Sequence, residues 1–167
     1  MKKILITSIL LVLTFSSAAG AAELADKLAV GFQITPHFSG FSFKYQLDED
    51  QIVQPIFYIS AEGINSDNKV LDNTFAVRVL YDMGSNGSYQ HYLGWGVGLV
   101  THKNYEDGAV QVDETSYAAQ GFVGFEKGSP LATSIELSLG LAEDSSDSGS
   151  GSFEAGFGLG LGFHYHF

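Results

Sequence analysis

The chain has 167 residues, a net charge of −11, no cysteine, and 20 glycines, 13 phenylalanines and 8 tyrosines against 3 prolines. The lack of cysteine excludes disulfides and thiolate metal centres, and the acidic balance excludes a nucleic-acid surface, which needs clustered Lys and Arg. After the first residues no apolar run approaches the roughly 20 residues of a membrane-spanning helix, so the glycine and aromatic content points to strands.

Residues 1–22 read as a secretory signal. Lys2 and Lys3 form a basic start, Ile4–Phe15 an apolar core, and Ser16–Ala22 a run of small residues in which Ala19-Gly20-Ala21 fits a cleavage pattern. No cysteine follows, so lipid anchoring there is excluded. Residues 23–167 form one exported domain, and loss of Lys2 and Lys3 takes its charge from −11 to about −13.

Eight segments then alternate with period two, the signature of strands with one greasy face. Leu28–Thr35 places Leu28, Val30, Phe32 and Ile34 on one side, and Gly40–Leu47 follows the short Pro36–Ser39 link with Phe41, Phe43, Tyr45 and Leu47. Ile52–Glu62 contains Pro55, which lacks a ladder donor and predicts a local bulge. After polar Gly63–Asn73 comes Thr74–Asp82, and after the turn-rich 83–88 comes Tyr89–His102, with Leu93, Trp95, Val97 and Leu99 opposite Tyr92, Gly94, Gly96 and Gly98. Polar 103–114 leads to Ser116–Glu126, the weakest pattern, and Lys127–Pro130 turns the chain into Leu131–Ala142. A Ser/Gly/Asp loop over 143–151 precedes Ser152–Phe167, where Phe153, Ala155, Phe157, Leu159, Leu161, Phe163, Tyr165 and Phe167 share one parity. Such a long strand suits a tilted bilayer crossing.

The connections after the second, fourth and sixth strands are short, and those after the third, fifth and seventh are longer. Short periplasmic turns and longer extracellular loops are the habit of outer-membrane barrels. With this asymmetry, the signal, the even strand count and the ending Gly162-Phe163-His164-Tyr165-His166-Phe167, the chain resembles the small eight-stranded bacterial outer-membrane barrels of the OmpA-transmembrane-domain and OmpX type. The resemblance implies an all-β, antiparallel, up-and-down transmembrane barrel in the outer membrane. It also implies that Phe163, Tyr165 and Phe167 form the signal read by the assembly machinery during insertion. Belts of aromatic residues are expected at both interfaces, Tyr45, Tyr81, Phe125, Tyr165 and Phe167 at the periplasmic one and Phe75, Tyr117 and Phe153 at the outer one.

The apolar parity is expected to face lipid, because the other parity is glycine, serine, glutamine and few charges, too little to coat a soluble protein. That second parity collects Lys44, Glu62, Arg78, Glu126, Glu136 and Glu154. Lys44, Arg78 and Glu136 sit near strand middles, so Glu136 is expected to pair with Arg78, Lys44 or both within a structural lumen network that includes Glu62 and Glu154. Tyr58, Tyr92 and Phe122 should fill the remaining bore. His164 and His166 lack a third ligand, so no metal is expected. Ser39 beside His37, and Ser116 or Thr115 near His102, do not have the spacing of a nucleophilic site, so neither catalysis nor a cofactor is expected. Glu106, Asp107, Asp113, Glu114, Glu143, Asp144 and Asp147 make the outer loops acidic.

The expected role is structural or surface-interacting, with outer-membrane lipids and lipopolysaccharide as neighbours and the protein a monomer. A small pore is the alternative reading and a lipid-modifying enzyme a more distant one. Deleting Phe167 should lower the yield of heat-modifiable, membrane-assembled protein in cells. An unchanged yield would remove the terminal aromatic from the insertion signal.

Overall fold

The computed structural model describes residues 27–63, 68–107, 109–144 and 152–167. The signal assigned to 1–22 and the loop centred on Asp147 lie outside the described residues. Eight strands follow in chain order: β1 (Leu28–Ile34), β2 (Ser39–Gln46), β3 (Gln51–Glu62), β4 (Lys69–Asn86), β5 (Tyr89–Glu106), β6 (Ala109–Lys127), β7 (Leu131–Asp144) and β8 (Ser152–His166). Each pairs antiparallel with the next, and β8 closes on β1. Closure removes the edges an open sheet would expose, the condition for strands to cross hydrocarbon.

The ring is staggered. A row of partners from Leu28 runs through Tyr45, Val53, Val79, Trp95, Gly121 and Leu139 to Phe157. Extending the β1–β8 register, in which Ile34 meets Leu161, sets Phe157 level with position 38, a climb of 10 residues (38 − 28) per circuit. Closing a barrel requires such a shear, and it tilts the strands by about 35–45°.

The alternation read from sequence maps onto the two faces of the wall. Leu93, Trp95, Val97, Val123, Leu137, Leu139, Leu159 and Leu161 point outward and are exposed, while Arg78, Gln54, Ser134, Glu136 and His164 are buried inside. A soluble barrel would show the inverse. The outward aromatics pair in rings, as in Phe57–Phe75 at 5.2 Å and Tyr165–Phe167 at 5.3 Å between centroids.

Two sequence expectations change. Residues 69–73, 103–106 and 109–114 of the polar stretches 63–73 and 103–114 are strand: β4 starts at Lys69, β5 runs to Glu106 and β6 starts at Ala109. Ladder bonds to neighbouring strands hold these polar residues extended above the apolar band, a tertiary effect that local polarity conceals. Pro55 does not make a bulge. Its β2 partners are missing, but Phe41↔Phe57 and Tyr45↔Val53 keep one register on either side, and Pro55 stays paired with Val77. The missing N–H interrupts one ladder without adding a residue. The true irregularities lie in β4 between Asp82 and Ser85, beside Gly84 at φ 92°, and at Asn104/Tyr105.

Leu137 stands outward in mid-strand between Val123 and Leu159. Leu137→Arg should cost about 2–4 kcal/mol, the range for a charge at the bilayer midplane, measured by denaturant unfolding in lipid vesicles. An unchanged unfolding midpoint would invert the face assignment.

Candidate functional site

The lumen is built by alternating large and absent side chains around each ring of the sheet. One row of partners reads Tyr92, Gly124, Glu136, Gly160. The next reads Leu80, Gly94, Phe122, Ser138, Gly158, and the next Gln54, Arg78, Gly96, Gln120, Gly140. Each glycine leaves the space its neighbour occupies. A Cβ on Gly96 would come within 2.7 Å of Arg78 Cγ, and one on Gly124 within 2.7 Å of Tyr92 Cζ and 2.9 Å of Glu136 Cγ.

At mid-depth Arg78 Nη2 donates to Glu136 Oε2 at 2.7 Å, and Tyr92 Oη donates to Glu136 Oε1 at 2.8 Å. The Arg78 guanidinium lies over the Phe122 ring, with Cζ 3.8 Å from its centroid. Arg78 and Glu136 are almost wholly sealed from solvent, so each ion depends on the other for compensation.

A second cluster fills the end of the bore where β1 begins and β8 ends. Lys44 is ion-paired to Glu126, whose other oxygen meets His166 Nε2 at 3.1 Å. Beside it His164 is buried, its Nε2 reached by the Ser42 hydroxyl at 2.7 Å and the Gln54 amide at 3.1 Å. Gln54 in turn donates to Gln33 at 3.4 Å.

The outer end is closed by the link between β1 and β2. Thr35 Oγ1 donates to Phe38 O at 2.8 Å and accepts from Phe38 N at 2.9 Å, pinning a tight turn that folds into the bore. Phe38 is completely buried against Ile56, Ala76 and Ala118. Pro36 lies against Gly158, His37 against Gly140, and Phe38 Cε1 is 2.8 Å from where a Gly98 Cβ would stand. Glycines on β5, β7 and β8 thus seat an internal plug. This explains why the first outer link is short: it is inside.

A closed ring of eight staggered strands, apolar outside and packed inside, decides the class. The fold is that of a small eight-stranded outer-membrane barrel. Among solved structures the chain is similar to Neisserial surface protein A (NspA), with 12% identity, a TM-score of 0.50, and coverage of 84% of this chain and 93% of that one. It is also similar to CarO2 of Acinetobacter baumannii, with 7% identity, a TM-score of 0.37, and coverage of 84% and 98%. No family model and no curated protein matches the sequence.

The lumen residues expected from sequence divide in two. Arg78 and Glu136 meet. Lys44 does not join them but pairs with Glu126, because β2 is short and the stagger, rather than position within a segment, sets depth. Glu62 and Glu154 are exposed at the outer ends of β3 and β8, above the plug and outside the network. Tyr92 and Phe122 fill the bore, whereas Tyr58, 39% exposed, stands above it. Phe163, Tyr165 and Phe167 all lie outward at the end of the barrel where β8 finishes.

His164 and His166 both face Glu126, Nδ1 of His164 3.9 Å from Oε2 and Nε2 of His166 3.1 Å from Oε1, and among the described residues no group of three ligands could hold a metal. His102 Nδ1 lies 2.6 Å from Asp72 Oδ1 on the inner face of the outer rim, half exposed. Sequence spacing could not bring these two together, since they sit on neighbouring strands whose pairing crosses the Ala76–Gly98 region.

Glu136→Gln should destabilise the barrel by about 3–5 kcal/mol, the cost of stranding a buried partner ion. Adding Arg78→Met should recover part of it in a double-mutant cycle. Strictly additive losses would mean the two charges do not compensate each other.

Proposed function

We propose that the protein is an integral barrel of the bacterial outer membrane whose role is carried by its outer rim and lipid surface rather than by transport through its centre. The observation that carries this reading is the bore, filled from the end formed by Lys44 and Glu126 up to the Phe38 plug. Lys44, Glu126 and His164 occupy the bottom, Arg78, Glu136, Tyr92 and Phe122 the middle, and Phe38 with Ile56 the top. Eight strands leave room for little more than side chains, and here that room is used.

Export through the signal at 1–22 and insertion through the terminal aromatics fit this reading. So does a monomer, since every strand already has two neighbours. The rim carries Glu62, Glu106, Asp107 and Glu114. Such a surface is solvated and suits contact with lipopolysaccharide through shared divalent cations, or with cationic partners. A structural or surface-interaction role needs no catalysis.

Reconstituted protein should give no discrete conductance steps in planar bilayers, and the lipid A mass spectrum should be unchanged on gene deletion. Reproducible single-channel currents from the wild-type chain would replace this reading with the pore, and a lipid A mass shift with the enzyme.

A further inference from the structure

The polar interior below the Phe38 plug is short of hydrogen bonds. Arg78 is completely buried, yet Nη2 alone of its nitrogens has an acceptor, while Nε and Nη1 have none. Beside it on β3, Gln54 leaves Oε1 without a donor. Two strands away on β6, in the same row, neither amide atom of buried Gln120 has a partner. The shortage continues downward. Gln54 Nε2 reaches Gln33 Oε1 and His164 Nε2, but Gln33 Nε2 and His164 Nδ1 are unpaired. All of these side chains are sealed from outside solvent.

Buried polar groups in folded proteins are nearly always satisfied, and the exceptions mark bound water or a ligand. Reassigning the amides does not cure the deficit. Turning Gln33 and Gln54 together exchanges the missing donor of one for the missing acceptor of the other, and Gln120 lacks both.

The chemistry of the orphan atoms selects the occupant. Arg78 Nε and Nη1, Gln33 Nε2 and Gln120 Nε2 require acceptors, whereas Gln54 Oε1 and Gln120 Oε1 require donors. An anion would serve the first set and strand the second, and a cation would do the reverse. Nor is there charge for an ion to neutralise, since Lys44 is paired with Glu126 and Arg78 with Glu136. Water both donates and accepts, and it is small enough for a bore crowded with side chains. The 3.9 Å between His164 Nδ1 and Glu126 Oε2, too long for a direct hydrogen bond, is a span that one water bridges.

The polar string has two definite ends. Above Arg78 and Gln120 the next inward residues are Ala76 and Ala118, which pack with Ile56 on Phe38 in a layer that offers water no side-chain partner. At the bottom Glu126 meets His166, which is 40% exposed at the mouth.

We infer that the lumen binds a string of ordered waters that runs from Glu126 and His164 up to Arg78 and Gln120 and stops under the Phe38 plug. The buried Arg78–Glu136 pair is thereby hydrogen-bonded to the lower mouth and insulated from the outer one. This hydration site goes beyond the proposed role of the rim and does not depend on it.

Arg78 is the only arginine in the chain, so an isotope-labelled sample gives a single Nε–H resonance. With the full-length mature chain folded in detergent micelles, that proton should show a magnetic-resonance cross-peak to water. In the rotating frame the peak should have the sign opposite to the diagonal, which marks a bound water rather than proton exchange. The α-protons of Gly98, where a Cβ would stand 2.8 Å from Phe38 Cε1, are the dry reference and should show no such peak. Gln120→Met, which removes both orphan amide atoms at similar size, should weaken the Arg78 peak by half or more.

A folded protein with no Arg78–water peak, or with one of the exchange sign, would overturn the proposal. So would an equal peak at Gly98, because water would then not stop at the plug. An Arg78 peak unchanged in folded Gln120→Met removes the upper end of the string. If that variant does not show heat-modifiable folding, the wild-type comparison of Arg78 with Gly98 decides alone. A shift of the Arg78 resonance on replacing chloride with methanesulfonate would assign the site to an anion and overturn the water string. None of these readouts depends on where the barrel resides, so their failure leaves the outer-membrane reading standing.

Discussion

The bore of an eight-stranded barrel is too narrow for every inward position to carry a side chain, and this one steric limit shapes the whole interior. At mid-depth on β4, β5, β6 and β7 the large inward residues have glycine beside them along the row: Gly96 beside Arg78, Gly124 between Tyr92 and Glu136, Gly94 beside Phe122. The glycines give up helix and strand propensity to make this fit. The closed ladder compensates, because the glycine-bearing β5 and β6 are paired on both sides around Gly94, Gly96 and Gly124. Charge follows from the same limit. With no room for bulk water around Arg78, the guanidinium is matched by Glu136 on the opposite wall and by the face of Phe122.

The stagger of the ring distributes these contents by depth. Lys44 and Glu126 lie far apart in sequence and on β2 and β6, yet they join at the lower end, where β1 begins and β8 ends, because the rows climb around the barrel. Arg78 and Glu136, on β4 and β7, meet higher up. The lumen thus has two charge clusters separated by packed aromatic side chains, and above them an apolar seal. Packing of this kind makes the bore a core turned inside out, polar at its centre and greasy at its rim with lipid.

The short β1–β2 hairpin has two linked consequences. Its tip becomes the outer seal of the lumen, since Thr35 locks Phe38 inward and Gly98, Gly140 and Gly158 leave a seat for it. The wall above it loses two strands, leaving edges of β3 and β8 facing one another. Closing the bore from within and opening the wall to the side are one structural choice. The long polar extensions of β4, β5 and β6 rise on the other side of the ring, where Asp72 and His102 are paired.

The sequence by itself determined the class of fold, because strand periodicity is local: Ser152–Phe167 or Tyr89–His102 alternates whether or not its neighbours are known. It also determined which parity faces lipid, since glycine and serine opposite Phe, Leu and Val leave no other assignment. Residues Arg78 and Glu136 were legible as opposite charges on inward parity. What only the tertiary structure decided depends on register and stagger, which no single segment encodes. Those set Lys44 against Glu126 rather than Glu136, left Glu62 and Glu154 outside the network, and extended strands into the polar stretches at 69–73, 103–106 and 109–114. They also turned Pro36–Phe38 from a surface link into a plug, because its seat is made by glycines on three strands distant in sequence. The shear of the closed ring decides which distant residues share a depth, and it exists only once the eighth strand meets the first.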